Sequence, residues 1–456
     1  MRTKRNVFST ITVCLTAAAL AACGTDGGGG SSAPASAPET KAPAESAAPA
    51  APAKAKDPVT LTFVIANTVD TAPFTKIFEE YQKKTGNKVE LQALPGGDFD
   101  NMMKTRFSTG DFPDLFLMQP GTKQNVKLRA EETLHEWSGD SAVWDRIIPS
   151  MKEFQTTPDK KIYGVPFGAT GTMGVFYNKE VFSKAGVQPP KNYADLIEIA
   201  KKIKAAGVTP FYEGVKDGWP AQVFYLTGWV SQVDPAIKDE GVLKLEQNQL
   251  NLADIPEVKD LFVKQKELKD LGLYQDNIMA GTYDELQNKM GEGKVAMAFM
   301  LDGIIPQLEK KFGKEFVKNQ LGVFPFPAAG DAGTALITPP NQLMVPAKAK
   351  NAKEAIELIK FMITPEMVNL YYQAAPGIPI FKDAKSELYS VQESVKAMID
   401  ANKAKINIQN RLTPTFADFQ KTLQTFFISG DVNAALKEFD ANYKKDGKSK
   451  RLTGFE

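Results

Sequence analysis

Residues 59–118 read VTLTFVIANTVDTAPFTKIFEEYQKKTGNKVELQALPGGDFDNMMKTRFSTGDFPDLFLM, and the hydrophobic period changes from segment to segment. Val59, Leu61, Phe63 and Ile65 alternate, which predicts a strand. Pro73 then stands in the first turn of a predicted helix whose Phe74, Ile77, Phe78 and Tyr81 fall at i, i+3, i+4 and i+7, and Gly86 ends it. Val89 to Leu91 starts a second strand. Phe99, Met102, Met103 and Phe107 mark a second helical face that stops at Gly110, and Asp114 to Met118 form a third, apolar strand. Strand-helix-strand-helix-strand order predicts a largely parallel sheet covered on both faces. Ligands on such sheets bind outside the carboxyl ends of the strands. The segments after Ile65, Leu94 and Met118 are therefore candidate cleft walls.

The pattern resumes near residue 172. Val175 to Tyr177 read as a strand, Ala194 to Ala206 as an amphipathic helix closed by Gly207, and Val208 to Phe211 follow. Lys294 to Met300 form another buried strand. There is no repeat of the solenoid type. Two similar-sized α/β lobes in about 400 residues predict a two-domain body with a cleft between the lobes.

Composition narrows the chemistry. The chain has 456 residues, 55 Lys+Arg against 54 Asp+Glu, one histidine and two cysteines. Near-neutral charge spread along the chain speaks against nucleic acid as a partner. His135 alone cannot build a His-rich zinc site, and the cysteines are too few for a zinc cluster or a disulfide framework. No metal or other cofactor is expected. No P-loop, GxSxG elbow or GxGxxG after a strand occurs, since Gly447-Lys448-Ser449 lacks the earlier glycine that a P-loop requires.

The first 22 residues read as a signal: Arg2, Lys4 and Arg5, then an apolar stretch from Val7 to Leu20 too short to span a membrane. Leu20-Ala21-Ala22-Cys23 resembles the bacterial lipobox at every position. The resemblance implies cleavage before Cys23, a diacylglycerol thioether on it and acylation of the new amino terminus, and several acyl chains anchor stably. Cleavage removes three positive charges, taking the net charge from +1 to −2. Residues 23–57 are the lipidated cysteine and a tether. Of the 34 residues from Gly24 to Asp57, 25 are Gly, Ala, Pro or Ser, too polar and small to offset the entropy of ordering.

With these stretches in place, the chain resembles the extracellular solute-binding proteins of ATP-binding-cassette sugar importers, the family 1 group related to maltose-binding protein. The resemblance rests on the opening strand and the helix Phe74 to Thr85, Asp111-Phe112-Pro113-Asp114-Leu115-Phe116, and Tyr163 to Phe167. Gly174 to Lys179, Gly291 to Met297 and Gly377 to Ile380 continue in family order. It implies an α/β, two-lobed periplasmic-binding-protein-like fold (type II) with crossing hinge segments. Lobe 1 would comprise 59–167 plus 336–375, and lobe 2 would comprise 172–335 plus 378–456. Gly168 to Gly171 would form the first hinge, where glycines absorb rotation or serve a plain turn. The implied protein is a monomer that captures a carbohydrate, expected to be an oligosaccharide, and hands it to the transmembrane subunits of an ABC permease. Two departures concern the ligand: the family often has Asn where Asp302 stands and Gly near Glu213.

A saccharide presents hydroxyls at its edge and apolar C–H faces, so its site needs charge-assisted acceptors and an aromatic platform. Asp217-Gly218-Trp219-Pro220 supplies both types in a turn-rich loop after a strand. Trp219 is the candidate platform, against burial between helix and sheet. Asp302, at the carboxyl end of an apolar strand, is a candidate acceptor or the N-cap of a helix starting at Ile304. Asp98 carries the same two readings for the Phe99 helix. Asn67, Gln119 and Thr172 are further candidate contacts, as is Gly377, which would admit backbone to the ligand or serve a tight turn. Trp137, Trp144, Trp229 and Tyr225 read as packing residues. Two other functions fit parts of the pattern: a cell-surface glycosidase using two carboxylates, and a tethered binding protein for a non-sugar solute.

Overall fold

The computed structural model describes residues 57–95, 99–121, 124–125, 128–157 and 159–456. The signal, Cys23, nearly all of the tether and Asp98 lie outside the described residues. Along the chain run β1 (Thr60–Ala66), α1 (Ala72–Thr85), β2 (Lys88–Leu94), α2 (Phe99–Thr109), β3 (Leu115–Met118), β4 (Val165–Pro166) and β5 (Ala169–Asn178). Then come α3 (Tyr193–Ala205), β6 (Thr209–Phe211), α4 (Gln222–Gly228), α5 (Pro256–Asp270), α6 (Tyr283–Gly291), β7 (Val295–Leu301) and α7 (Ile304–Phe312). The chain continues with β8 (Leu321–Phe324), β9 (Ala335–Thr338), β10 (Gln342–Met344), α8 (Ala352–Met362), α9 (Pro365–Ala374), β11 (Ile378–Pro379), β12 (Ala404–Ile406), α10 (Phe419–Ser429) and α11 (Val432–Ser449).

The expected helix over Phe74 to Tyr81 forms as α1. Its four apolar residues are buried, and Phe74 and Phe78 meet Phe63 of β1 with ring centroids 5.5 and 5.3 Å apart. Each such buried side chain contributes roughly 1.5–3 kcal/mol. Gly86 closes the helix in the left-handed conformation, its N–H bonded to the Gln82 carbonyl. The first sheet has the order β2-β1-β3-β10-β4. β1 is parallel to β2 and β3, as the strand-helix-strand order requires, but β10 enters antiparallel between β3 and β4. Asp114, only 5% exposed, does more than open β3. Its carboxylate accepts the Thr62 N–H at 2.8 Å and the Asn351 N–H at 3.0 Å, pinning β1 and the start of α8 to one point.

The second sheet is built around β5. Its path is β12-β9-β5-β7-β6, with β8 and β11 also paired to β5. β6 is parallel to β7 and β12 to β9, while β5 is antiparallel to β7, β8, β9 and β11. So β6, β7, β9 and β12 all run one way and end on the same side. The two sheets with their helices make two lobes.

Three chain segments cross between the sheets: Phe167–Gly168, Pro339–Asn341 and Ala375–Gly377. The second crossing corrects the expected boundary, because β9 stays in the second sheet and the chain returns to the first only after Thr338. Hydroxyls stitch the crossings together. Thr170 Oγ1 donates to the Thr338 carbonyl at 2.7 Å. Tyr372 Oη donates to the Gly168 carbonyl at 2.6 Å and accepts the Ile380 N–H at 3.2 Å. Trp229 and Tyr225, at i and i+4, are buried as their spacing predicts, and Trp137 and Trp144, read as packing residues, are buried too.

Candidate functional site

Strand direction locates the site. β1 ends at Ala66, β3 at Met118 and β4 at Pro166, and all three are mutually parallel through the β10 pairings, so their carboxyl ends lie where the chain leaves for the second sheet. β5 begins at that crossing, and the ends of β7, β9 and β12 lie level with its first residues, Thr338 pairing with Gly171 and Leu301 with Met173, while the shorter β6 runs the same way and stops level with Tyr177. Both sheets thus turn the carboxyl ends of their parallel strands toward the crossings, the end at which ligands bind on such sheets.

On the second-sheet side, Asp302 follows β7 directly. Its carboxylate accepts the Thr172 N–H at 3.1 Å beside Gly171, where a Cβ would come within 2.5 Å of Thr338 Oγ1 and in ordinary contact, at 3.5 Å, with both carboxylate oxygens. The helix that follows is capped at Gly303 without a side-chain bond, so the carboxylate faces the strand ends instead of closing α7. Burial raises the Asp302 carboxyl to about 6, opposed by the N–H groups of Thr172, Asp302 and Gly303. A partly exposed acceptor already stripped of much of its water is suited to bond a hydroxyl donor.

Trp219 lies in a short turn of helix after Gly218 and is half-buried. Its ring meets that of Tyr283 edge-on at 5.0 Å. Tyr283 opens α6, where the Thr282 hydroxyl caps the helix by accepting the Glu285 N–H. Asp217 reaches across and accepts the Tyr283 N–H at 2.6 Å, so this candidate acceptor spends an oxygen holding the tyrosine in place. Burial raises the Tyr283 hydroxyl above its ordinary value, opposed by a hydrogen bond to Gln287 and assisted by the Asp302 carboxylate. Trp219 thus packs on Tyr283, and Tyr283 in turn feels the Asp302 carboxylate, which links the three side chains. On the same rim, Gln409 follows β12 and its amide donates to Gln222 at 3.4 Å.

The other candidates have different places. Asn67 is exposed just past β1, its N–H on the Leu94 carbonyl, and Gln119 is exposed just past β3, its carbonyl accepting the Gln342 amide. Both stand on the first-sheet side of the crossings. Thr172 is 3% exposed and its hydroxyl donates to the Leu336 carbonyl at 2.8 Å, so it acts on Asp302 through its N–H. Gly377 is buried, and a Cβ there would lie 2.5 Å from that of Ala169, so its lack of a side chain lets two crossings pass. Asp98 lies outside the described residues. Tyr283 was missed because its partner Trp219 stands 64 positions earlier; the Thr282–Glu285 capping pair was legible but points only to a helix start.

A cavity of about 330 Å³ opens at the far end of the second sheet, between Asn178, Lys184 and Gly291 to Gly293. Most of the length of β5 separates it from Asp302, which bonds Thr172 near the start of that strand.

Comparison with known proteins decides the family. The profile described as bacterial extracellular solute-binding protein matches residues 65–369, well over half of the chain. The chain belongs to that family. An uncharacterized ABC transporter extracellular-binding protein of Pyrococcus horikoshii is 26% identical over 405 residues, covering 82% of this chain and 84% of that protein. The multiple sugar-binding protein of Streptococcus mutans is 24% identical over 334 residues, covering 71% and 76%. Among solved structures, the bacterial solute receptor AcbH, described as having an exclusive preference for β-D-galactopyranose, superposes with a TM-score of 0.72 at 20% identity. That match covers 86% of this chain and 99% of the receptor, and shows a shared two-lobed fold. Among the described residues of this solute-binding protein, no helix is long and apolar enough to cross a membrane.

Proposed function

We propose that this solute-binding protein is the capture component of an ABC importer, taking a carbohydrate between its lobes and passing it to membrane permease subunits. The observation that carries the reading is the half-buried Trp219 and Tyr283 beside the Asp302 carboxylate at the carboxyl ends of the second sheet. A sugar ring would lay a C–H face on the Trp219 indole and give adjacent hydroxyls to Asp302, the pairing of apolar face and charged acceptor that saccharides require. Asn67 and Gln119 would meet the solute from lobe 1. Lobe 1 would be 59–167 with 342–375 and lobe 2 would be 169–338 with 378–456. Closure follows if the bridged state binds the solute more tightly than the open one. The sugar-related names of relatives support the reading. Lipid attachment at Cys23, with residues 24–57 as tether, would hold the body at the outer face of the cell membrane.

Calorimetry and tryptophan fluorescence against a panel of mono- and oligosaccharides test this. Saturable binding is expected, weakened at least tenfold in Trp219→Ala and less in Trp219→Phe. Binding of peptides or polyamines with no response to any sugar would overturn the carbohydrate assignment. Release of reducing ends during incubation would show a glycosidase instead of a carrier.

A further inference from the structure

Behind the Trp219 loop lies a group that the capture reading does not use. Glu213, two residues past β6, is 2% exposed. Its carboxyl accepts the Gly214 N–H at 3.1 Å. Its backbone is gripped on both sides by Gln275, which accepts the Glu213 N–H at 3.0 Å and donates to its carbonyl at 2.8 Å. The ionisable side chains that face the carboxyl are Tyr225 from α4 and Tyr274 from the turn after α5, with Gln265 of α5 against Tyr274. All three are more than nine-tenths buried. The Tyr225 hydroxyl lacks a protein hydrogen-bond partner, and among the described residues Gln265 is the one polar side chain that reaches the Tyr274 hydroxyl. Phenylalanines wall the rest: Phe262 and Phe419 against Tyr225, Phe211 and Phe427 against Tyr274.

The protonation state of Glu213 decides whether this enclosure is satisfied. A carboxylic acid brings no charge into this shell, and it can donate as well as accept among polar groups that are short of partners. A carboxylate only accepts, and here it would be a charge with one backbone donor in an aromatic shell, an expensive arrangement. Burial raises the carboxyl to about 8, the Gly214 N–H opposing, and no cation among the described residues offsets it. The strain has a short path outward. Gly214, the donor, packs against Pro220, where a Cβ would come within 2.9 Å of the proline ring, and its carbonyl accepts the Asp217 N–H. Asp217 holds Tyr283, and Trp219 precedes Pro220.

We propose that Glu213 is a positioning residue held as the neutral acid, and that its ionisation releases the Gly214–Trp219 loop so that solute affinity falls in alkaline solution. The affinity part rests on the reading that Trp219 faces the solute. The two tyrosine hydroxyls are raised well above 10 by burial and stay protonated throughout. His135 is lowered by burial and is already neutral there.

The test measures saccharide affinity from pH 6 to 9.5 in wild type and Glu213→Gln, together with amide-exchange protection of residues 215–219 in the free protein, corrected for intrinsic rates. In wild type the dissociation constant should rise about tenfold between pH 7 and pH 9, and loop protection should fall with a midpoint near 8. In Glu213→Gln both should be flat, with wild-type affinity at pH 7. The same alkaline loss in Glu213→Gln, or a flat wild type, overturns the proposal. A titrating loop in a protein that binds no saccharide keeps this inference and sinks the carbohydrate reading; pH-independent saccharide binding does the reverse. Should Glu213→Gln fail to fold, carboxyl ¹³C spectra of the wild type decide. A glutamate resonance moving near pH 8 supports the proposal, and all glutamates titrating between 4 and 5 refutes it.

Discussion

Asp302→Asn should move stability and affinity in opposite directions. The folded carboxyl titrates at about 6 against an ordinary 3.8, so the native state holds its proton more tightly than the unfolded chain does. Below pH 3.8 both states are protonated and the residue costs nothing. Between 3.8 and 6 the unfolded chain ionises first, and wild type loses about 1.4 kcal/mol of stability per pH unit relative to a neutral replacement, up to about 3 kcal/mol above pH 6. The residue keeps an exposed edge, so water recovers part of this and about 1–3 kcal/mol is expected. Asparagine still accepts the Thr172 N–H, so the local frame survives. Urea denaturation at pH 4, 5, 6 and 7 should therefore show Asp302→Asn pulling ahead of wild type as pH rises. Solute binding should weaken at pH 7 by roughly ten- to a hundredfold, the value of losing charge on a hydrogen-bond acceptor. A stability gap equal at pH 4 and pH 7 would refute the desolvation argument. Unchanged affinity would remove Asp302 from the site.

The crossings offer two further tests. Tyr372→Phe strands the Gly168 carbonyl and the Ile380 N–H in the interior, and urea denaturation should show a loss of about 2–4 kcal/mol. Gly377→Ala drives a methyl onto Ala169 and should cost about 1–3 kcal/mol, most of it recovered in the Gly377→Ala/Ala169→Gly double variant; additive losses would mean the clash is elsewhere.

Local period carried a large part of the fold. The Phe74 to Tyr81 spacing and Gly86 gave α1 to within a residue or two, because that helix buries one face on its own neighbouring strands. Tyr225 and Trp229, at i and i+4, were legible as a buried helix face for the same reason. Long-range facts were not. Nothing near Gln342 says that β10 enters the first sheet reversed, since its partners β3 and β4 lie more than 170 residues earlier. Gly377 reads in sequence as a place where backbone could approach a ligand and Thr172 as a further contact, whereas in the fold the Thr172 hydroxyl is spent on the Leu336 carbonyl and Gly377 gives room to Ala169. Trp219 and Asp302 could be singled out because residue type and position after a strand coincide with what a solute needs. Glu213 is acidic in a strand-end loop too, and only the packing of α4 and α5 distinguishes it as interior.

The hydroxyl stitches at the crossings have a kinematic consequence. Three independent strands joining two bodies would allow twist and sideways tilt as well as bending. Thr170 fastens the first crossing to the end of β9, where the second begins, and Tyr372 fastens the first to the segment just past the third, so the strands flex as one leaf spring. Such a joint keeps a single easy axis. If the lobes close on a solute as proposed, each would return its wall to the same register, and the Thr170 and Tyr372 hydroxyls would set the accuracy with which the two walls meet.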